Sequence, residues 1–112
     1  MILKIIFLEQ MERPQKFPRE LEKHFFEAIA TGDLETVLMF LEAGIDPYIN
    51  KLGRSMPLHT AVYTDQLAIV HLLLDIGINP NIRDRWGNTP LGMAKTCNYP
   101  AIAELLQQYG AE

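Results

Sequence analysis

Gly77-Ile78-Asn79-Pro80-Asn81-Ile82-Arg83-Asp84-Arg85-Trp86-Gly87-Asn88-Thr89-Pro90-Leu91 closes one structural unit and opens the next, in the vocabulary of a stretch met earlier in the chain. Gly44-Ile45-Asp46-Pro47 lies 33 positions before Gly77-Ile78-Asn79-Pro80, Pro57-Leu58 lies 33 before Pro90-Leu91, and Gly110 follows Gly77 by the same interval. Gly32, Asp65 and Asn98 form a second series of that period. Glycine enters left-handed backbone without penalty, and Asp and Asn are the side chains that tolerate it best. Two such sites per period, one between two helical patterns and one after the second, predict a repeated helix, tight turn, helix, turn.

A helix-turn-helix unit of 33 residues with Thr-Pro-Leu before its first helix resembles the ankyrin repeat family, over about residues 18 to 112. The resemblance implies an all-α solenoid of helix pairs joined by β-hairpin-like loops. It divides the chain into a lead segment, 1–17, an N-terminal capping repeat, 18–47, a central repeat, 48–80, and a C-terminal capping repeat, 81–112. Thr89-Pro90-Leu91 has Gly92 in the place of the family's His, whereas Pro57-Leu58-His59 keeps the His and puts Met56 in the place of Thr. In the family that Thr and His hydrogen-bond within one repeat and the His reaches a neighbouring backbone. Here the network is expected to be thinner or shared between repeats. Asp84 and Gly87 match the family's hairpin Asp-x-x-Gly, while Lys51 and Arg54 stand at the equivalent earlier positions with Gly53 one place early, so the two hairpins are expected to differ in shape.

The 112 residues suit one domain, and 48% apolar with 21% charged residues is the balance of a soluble globular chain. A net charge of −4 without a Lys/Arg run lacks the footprint of a nucleic-acid binder. The single cysteine, Cys97, has no partner within the chain for a disulfide, which favours a reducing, cytoplasmic setting. Met1-Ile2-Leu3-Lys4-Ile5-Ile6-Phe7-Leu8 is apolar, but its basic residue sits inside the run, no small-residue cleavage pattern follows, and it is too short to span a bilayer. It reads as a strand or an apolar arm that covers the first repeat or associates with a second copy; alternatively Met11 is the natural start. Pro14 and Pro18 argue against one continuous helix into the repeats.

Helices are expected over 18–31, 34–43, 57–64, 66–76, 90–97 and 100–109. The first should present a solvated face of Arg19, Glu20, Glu22, Lys23 and Glu27, since no repeat precedes it. Asp33 should cap the second, whose Leu34, Val37, Leu38 and Leu41 follow helical spacing. Leu67, Ile69, Val70, Leu72, Leu73 and Leu74 leave little polar face on the helix of the central repeat, as burial on both sides requires. Glu104, Gln107 and Gln108 interrupt the last apolar pattern, so that helix reads as a C-terminal cap and the chain as complete.

Little in the chain points to catalysis. His59 lies one turn after Ser55, but a Ser/His pair also needs an orienting carboxylate and an oxyanion site, and His59 already has a place in the repeat motif. A small enzyme or metal protein built on His59 and Cys97 is the weakest reading. No two of the three histidines have metal spacing, and Gly87-Asn88-Thr89 lacks the setting of a phosphate loop, so no metal, cofactor or catalytic residue is expected. What remains is surface. In the ankyrin family partners are usually held by hairpin tips and the exposed ends of first helices, which implies Asn50, Leu52 and Ser55 in one hairpin, Arg83, Arg85, Trp86 and Asn88 in the next, and Tyr63, Thr64 and Thr96 on the helices. A lone Trp between arginines with a Tyr one repeat away supplies residue types enriched in binding hot spots. The competing reading folds Trp86 back onto its own hairpin. The expected function is therefore binding of another protein, with an inhibitor or immunity-type protein that neutralises an enzyme or toxin as the alternative.

Overall fold

A computed structural model describes residues 17–49 and 56–112. The expectations for the lead segment up to residue 16 and for 50–55, which include the shape of the first hairpin and the contact residues Asn50, Leu52 and Ser55, lie outside the described residues.

Six helices follow one another among the described residues, and none of these residues is in a strand. They are α1 (Arg19–Thr31), α2 (Leu34–Glu42), α3 (Pro57–Tyr63), α4 (Leu67–Asp75), α5 (Pro90–Thr96) and α6 (Pro100–Gln108). Expected boundaries hold to within a residue or two, the scatter normal for fraying ends. Pro18 precedes α1 as its cap rather than opening it, and Pro57, Pro90 and Pro100 open α3, α5 and α6, where a missing N–H costs nothing. Asp33 caps α2 by accepting the Thr36 N–H at 3.2 Å. Both series of left-handed sites are present: Gly44, Gly77 and Gly110 have φ of 98°, 99° and 92°, and Gly32, Asp65 and Asn98 have φ of 79°, 58° and 59°.

Each helix pair packs on the next, α1 with α3, α3 with α5, α2 with α4 and α4 with α6. One continuous core runs through the stack, with Ile29, Val37, Leu58, Val62, Ile69, Leu73, Ile102 and Leu106 shut off from water. In the first repeat it is aromatic: Phe25 packs edge-on to Phe26 and Phe40 at 5.9 and 5.7 Å, and Phe17 tilts against Phe40 at 6.3 Å. Polar groups close the seams. Gln66 Nε2 donates to the Ala30 carbonyl at 3.1 Å, and a Cβ on Gly32 would meet Gln66 Oε1 at 2.5 Å, so residue 32 answers to the seam as well as to its turn. The Asn79 N–H donates to Tyr48 Oη at 3.0 Å, and Asn81 bridges to the Gly110 carbonyl and the Glu112 N–H at 3.2 and 2.9 Å.

Two expectations about faces need correction. Glu22 is only 8% exposed and does not belong to the solvated face of α1, because it shares the spacing of Phe25, Phe26 and Ile29, which turn inward. On α2 only Val37 and Phe40 are buried; Leu34 and Leu38 are 42% and 40% exposed, and Leu67 at the start of α4 is 43% exposed. The second helices touch their neighbours along one stripe and leave the opposite stripe in water, even in the central repeat.

Candidate functional site

The second hairpin, residues 81–88, is held by the carboxylate of Asp84. Oδ1 accepts the N–H groups of Trp86 at 3.0 Å and Asn88 at 2.8 Å, and Oδ2 accepts Asn88 Nδ2 at 3.2 Å. The Asp84 N–H in turn donates to the Asn88 carbonyl, and the Gly87 N–H to the Asp84 carbonyl, both at 3.0 Å. Gly87 supplies the left-handed corner at φ 84°. Burial pushes the Asp84 carboxyl up, but the donors from Asn88 and Trp86 outweigh it and hold the group below the usual carboxylate range.

His59 ties this hairpin to the preceding repeat. Its imidazole is fully buried, and Nε2–H donates to the Asn88 carbonyl at 2.8 Å, which fixes the tautomer because a carbonyl only accepts. Nδ1 is buried and has no hydrogen-bond partner among the described residues. Met56, in the place of the family's Thr, has no hydroxyl to offer it, and the Thr89 hydroxyl, which accepts the Gly92 N–H at 3.1 Å, does not bond to it. Of the two alternatives the sequence leaves, the Thr/His network is thinner: among the described residues no Thr hydroxyl bonds His59, and only the contact from its Nε2 to the neighbouring backbone remains.

The hairpin presents Arg83, Arg85, Trp86 and Asn88 to water. Trp86 is 65% exposed and does not fold back over its hairpin; the Arg85 guanidinium lies 5.2 Å from its ring centroid. Arg83 Nη1 donates to the Gly87 carbonyl at 3.1 Å and braces the loop. Asn88 is exposed, yet its N–H, carbonyl and Nδ2 are all used internally. On the inner helices Tyr63 is 64% exposed, its carbonyl accepting Tyr99 Oη at 3.5 Å. From His59, beneath the hairpin, to Tyr63 the helix rises about 6 Å, so α3 carries the surface from one aromatic toward the other. Thr64 is half-buried and Thr96 exposed; their hydroxyls donate back to the carbonyls of Thr60 and Gly92 at 2.7 and 2.9 Å, so each offers methyl and oxygen but no free donor. Translating Tyr63, Thr64 and Thr60 by one period adds exposed Thr31 and half-buried Ala30, Met93 and Cys97 to the strip, residues that the 33-residue interval itself could have supplied.

Elsewhere, His71 and Tyr109 converge on Asp75: Tyr109 Oη donates to Asp75 Oδ1, His71 Nε2 lies 3.6 Å from Oδ2, and the two rings meet edge-on at 6.2 Å. The hydrogen bond to Asp75 pushes the Tyr109 hydroxyl up, with burial and the carboxylate's charge adding to it. Among the described residues no group of three or more His, Cys, Asp or Glu could hold a metal ion, and no helix is long and apolar enough to cross a membrane.

Stacked helix pairs, left-handed corners at a fixed period and an Asp-pinned hairpin between pairs define a helical-repeat solenoid. Residues 25–112 match the family model described as "Ankyrin repeats (3 copies)", and the chain belongs to the ankyrin repeat family. No curated protein sequence matches it. Ankyrin repeats are generally protein–protein interaction modules and typically non-catalytic.

Proposed function

We propose that the chain is a non-catalytic module that binds another protein through the second hairpin and the inner-helix surface. The observation that carries this reading is the exposure of Trp86 and Tyr63, two large aromatic side chains uncovered on the side where relatives hold partners. Buried against a partner, such side chains carry a disproportionate share of binding energy. Arg83, Arg85 and Asn88 accompany Trp86 on the hairpin, Thr64 and Thr96 accompany Tyr63 on the inner helices, and Asn50, Leu52 and Ser55 stand one period before Arg83, Arg85 and Asn88 in the sequence. An intracellular location fits the single Cys97. Inhibition of a partner enzyme would use the same face and is separated from scaffolding only by assay of the partner.

With a partner captured from native cells and identified, Trp86→Ala should weaken binding by about 2 kcal/mol or more in calorimetry while leaving the melting curve unchanged. Gln107→Ala, on the exposed side of α6, should do nearly nothing. Unaltered affinity for Trp86→Ala, or a loss matched by lost stability, would move the interface elsewhere.

A further inference from the structure

Resting on that reading, we infer the chemistry of the partner: the second hairpin takes an acidic segment that also carries an aliphatic side chain, with carboxylates on Arg83 and Arg85 and the aliphatic group on Trp86. The chain as a whole is acidic, at −4, yet this hairpin is not. Its one acid, Asp84, is buried and its carboxylate is occupied by N–H groups of the hairpin itself. Among the described residues neither guanidinium is within ion-pair distance of a carboxylate; Arg83 gives one nitrogen to Gly87, and Arg85 has only the face of Trp86. Stacking on an aromatic ring leaves the N–H edges of a guanidinium for bidentate pairing, the geometry that selects carboxylates. Trp86 then supplies apolar area directly beside the charge.

The same sign recurs one period earlier in the sequence, where Lys51 and Arg54 stand in a stretch, 49–57, without an acid. Exposed acids lie elsewhere among the described residues: Asp33, Glu35, Glu42, Asp75 and Glu104 on the second-helix elements and their ends, Glu20 and Glu27 on α1, and Asp46 and Asp65 in turns. Glu112 reaches the base of the hairpin through its N–H to Asn81 without pairing to either arginine. An acidic segment is drawn to the two arginines of the second hairpin and repelled from the acid-bearing surfaces, which acts chiefly on association rate and orientation. A phosphate lattice is a poorer fit, since nucleic-acid binding rests on many phosphate contacts and the overall charge opposes it.

Trp86 is the only tryptophan, so its emission reports docking at this hairpin directly. The full chain would be titrated with a short synthetic peptide of Glu and Leu, with its Gln-for-Glu twin, and with oligothymidylate. The Glu peptide should shift Trp86 emission, bind at least about tenfold tighter than the twin at low salt and lose that advantage as salt rises. Arg85→Gln should remove most of the preference, Arg85→Lys should restore part of it, and Lys23→Gln on α1 should leave it unchanged. Arg85 carries the test because Arg83 also braces the hairpin. Equal binding of both peptides overturns the acidic chemistry while leaving protein binding standing. Tighter binding of oligothymidylate replaces carboxylate by phosphate, and an emission that no probe moves overturns the hairpin as the docking point. Loss of protein binding as such shows only in the Trp86→Ala measurement on the captured partner, which keeps the two failures apart.

Discussion

Gly77 and Asn98 both sit in left-handed backbone, but at different depths. The well open to residues with a Cβ lies at φ of about +50 to +70°. Asp65 and Asn98 at 58° and 59° fall inside it, whereas Gly44, Gly77 and Gly110 at 92° to 99° fall beyond it. That difference explains why one series in the sequence mixes Gly, Asp and Asn and the other is glycine throughout. Space is not the reason, since no atom lies within 4 Å of a Cβ built on Gly77. Gly77→Val should therefore cost more than about 1 kcal/mol from conformation alone, and Gly77→Asn should cost nearly as much although Asn serves at 98. Asn98→Gly should stay within about 0.5 kcal/mol, relief of the backbone being offset by the freedom glycine has when unfolded. Urea melts of the three variants decide it; parent-like stability for Gly77→Asn would show that φ is not what restricts this position.

At the scale of the element, the second hairpin is an acid-sensitive part. The carboxyl of Asp84 titrates lower in the folded chain than in the unfolded one, near pH 3.9, so the unfolded state binds more protons in the interval between the two values. Its stabilisation is whole above the unfolded value and is lost as pH falls through the folded one. Asp84→Asn should lower stability at neutral pH, and its stability should fall less steeply than the parent's on acidification below about pH 4. Superimposable acid slopes for parent and variant would show that Asp84 does not carry the effect. This hairpin was legible in the sequence through Asp84, Gly87 and the Thr-Pro-Leu that follows, because turn chemistry is local. The helices were legible through proline, Asp33 and the period. Which stripe of each helix meets its neighbour was not: Glu22 turned inward and Leu34, Leu38 and Leu67 outward. Apolar spacing alone does not distinguish the contacting stripe from an adjacent one when both carry leucine. At the site, residue identity and repeat position chose Trp86 and Tyr63, but the internal use of Asn88 and of the Thr64 and Thr96 hydroxyls depends on hydrogen bonds that only coordinates reveal.

A stack of repeats is nearly one-dimensional, each unit held by its neighbours, so the place of a defect decides how the molecule fails. Leu73 is fully buried on α4, the helix that packs on α3 within its repeat and on α2 and α6 to either side. Leu73→Ala should cost about 2 to 5 kcal/mol, a large part of the 5 to 15 kcal/mol typical of a whole domain. Since every seam passes through the central repeat, the loss should be felt by the entire chain at once. Leu106 is equally buried but lies on α6, in the third repeat, whose helices pack on the central repeat. Leu106→Ala should loosen that repeat ahead of the rest. Two probes separate the cases: Trp86 emission follows the third repeat, and far-ultraviolet circular dichroism follows all six helices. In the parent and in Leu73→Ala the two urea transitions should coincide, at a lower midpoint in the variant. In Leu106→Ala the Trp86 transition should come first and the helical signal should decay over a broader range. Coincident transitions in Leu106→Ala would mean that the three repeats form a single cooperative unit, and separated transitions in Leu73→Ala would mean that the central repeat does not couple its neighbours.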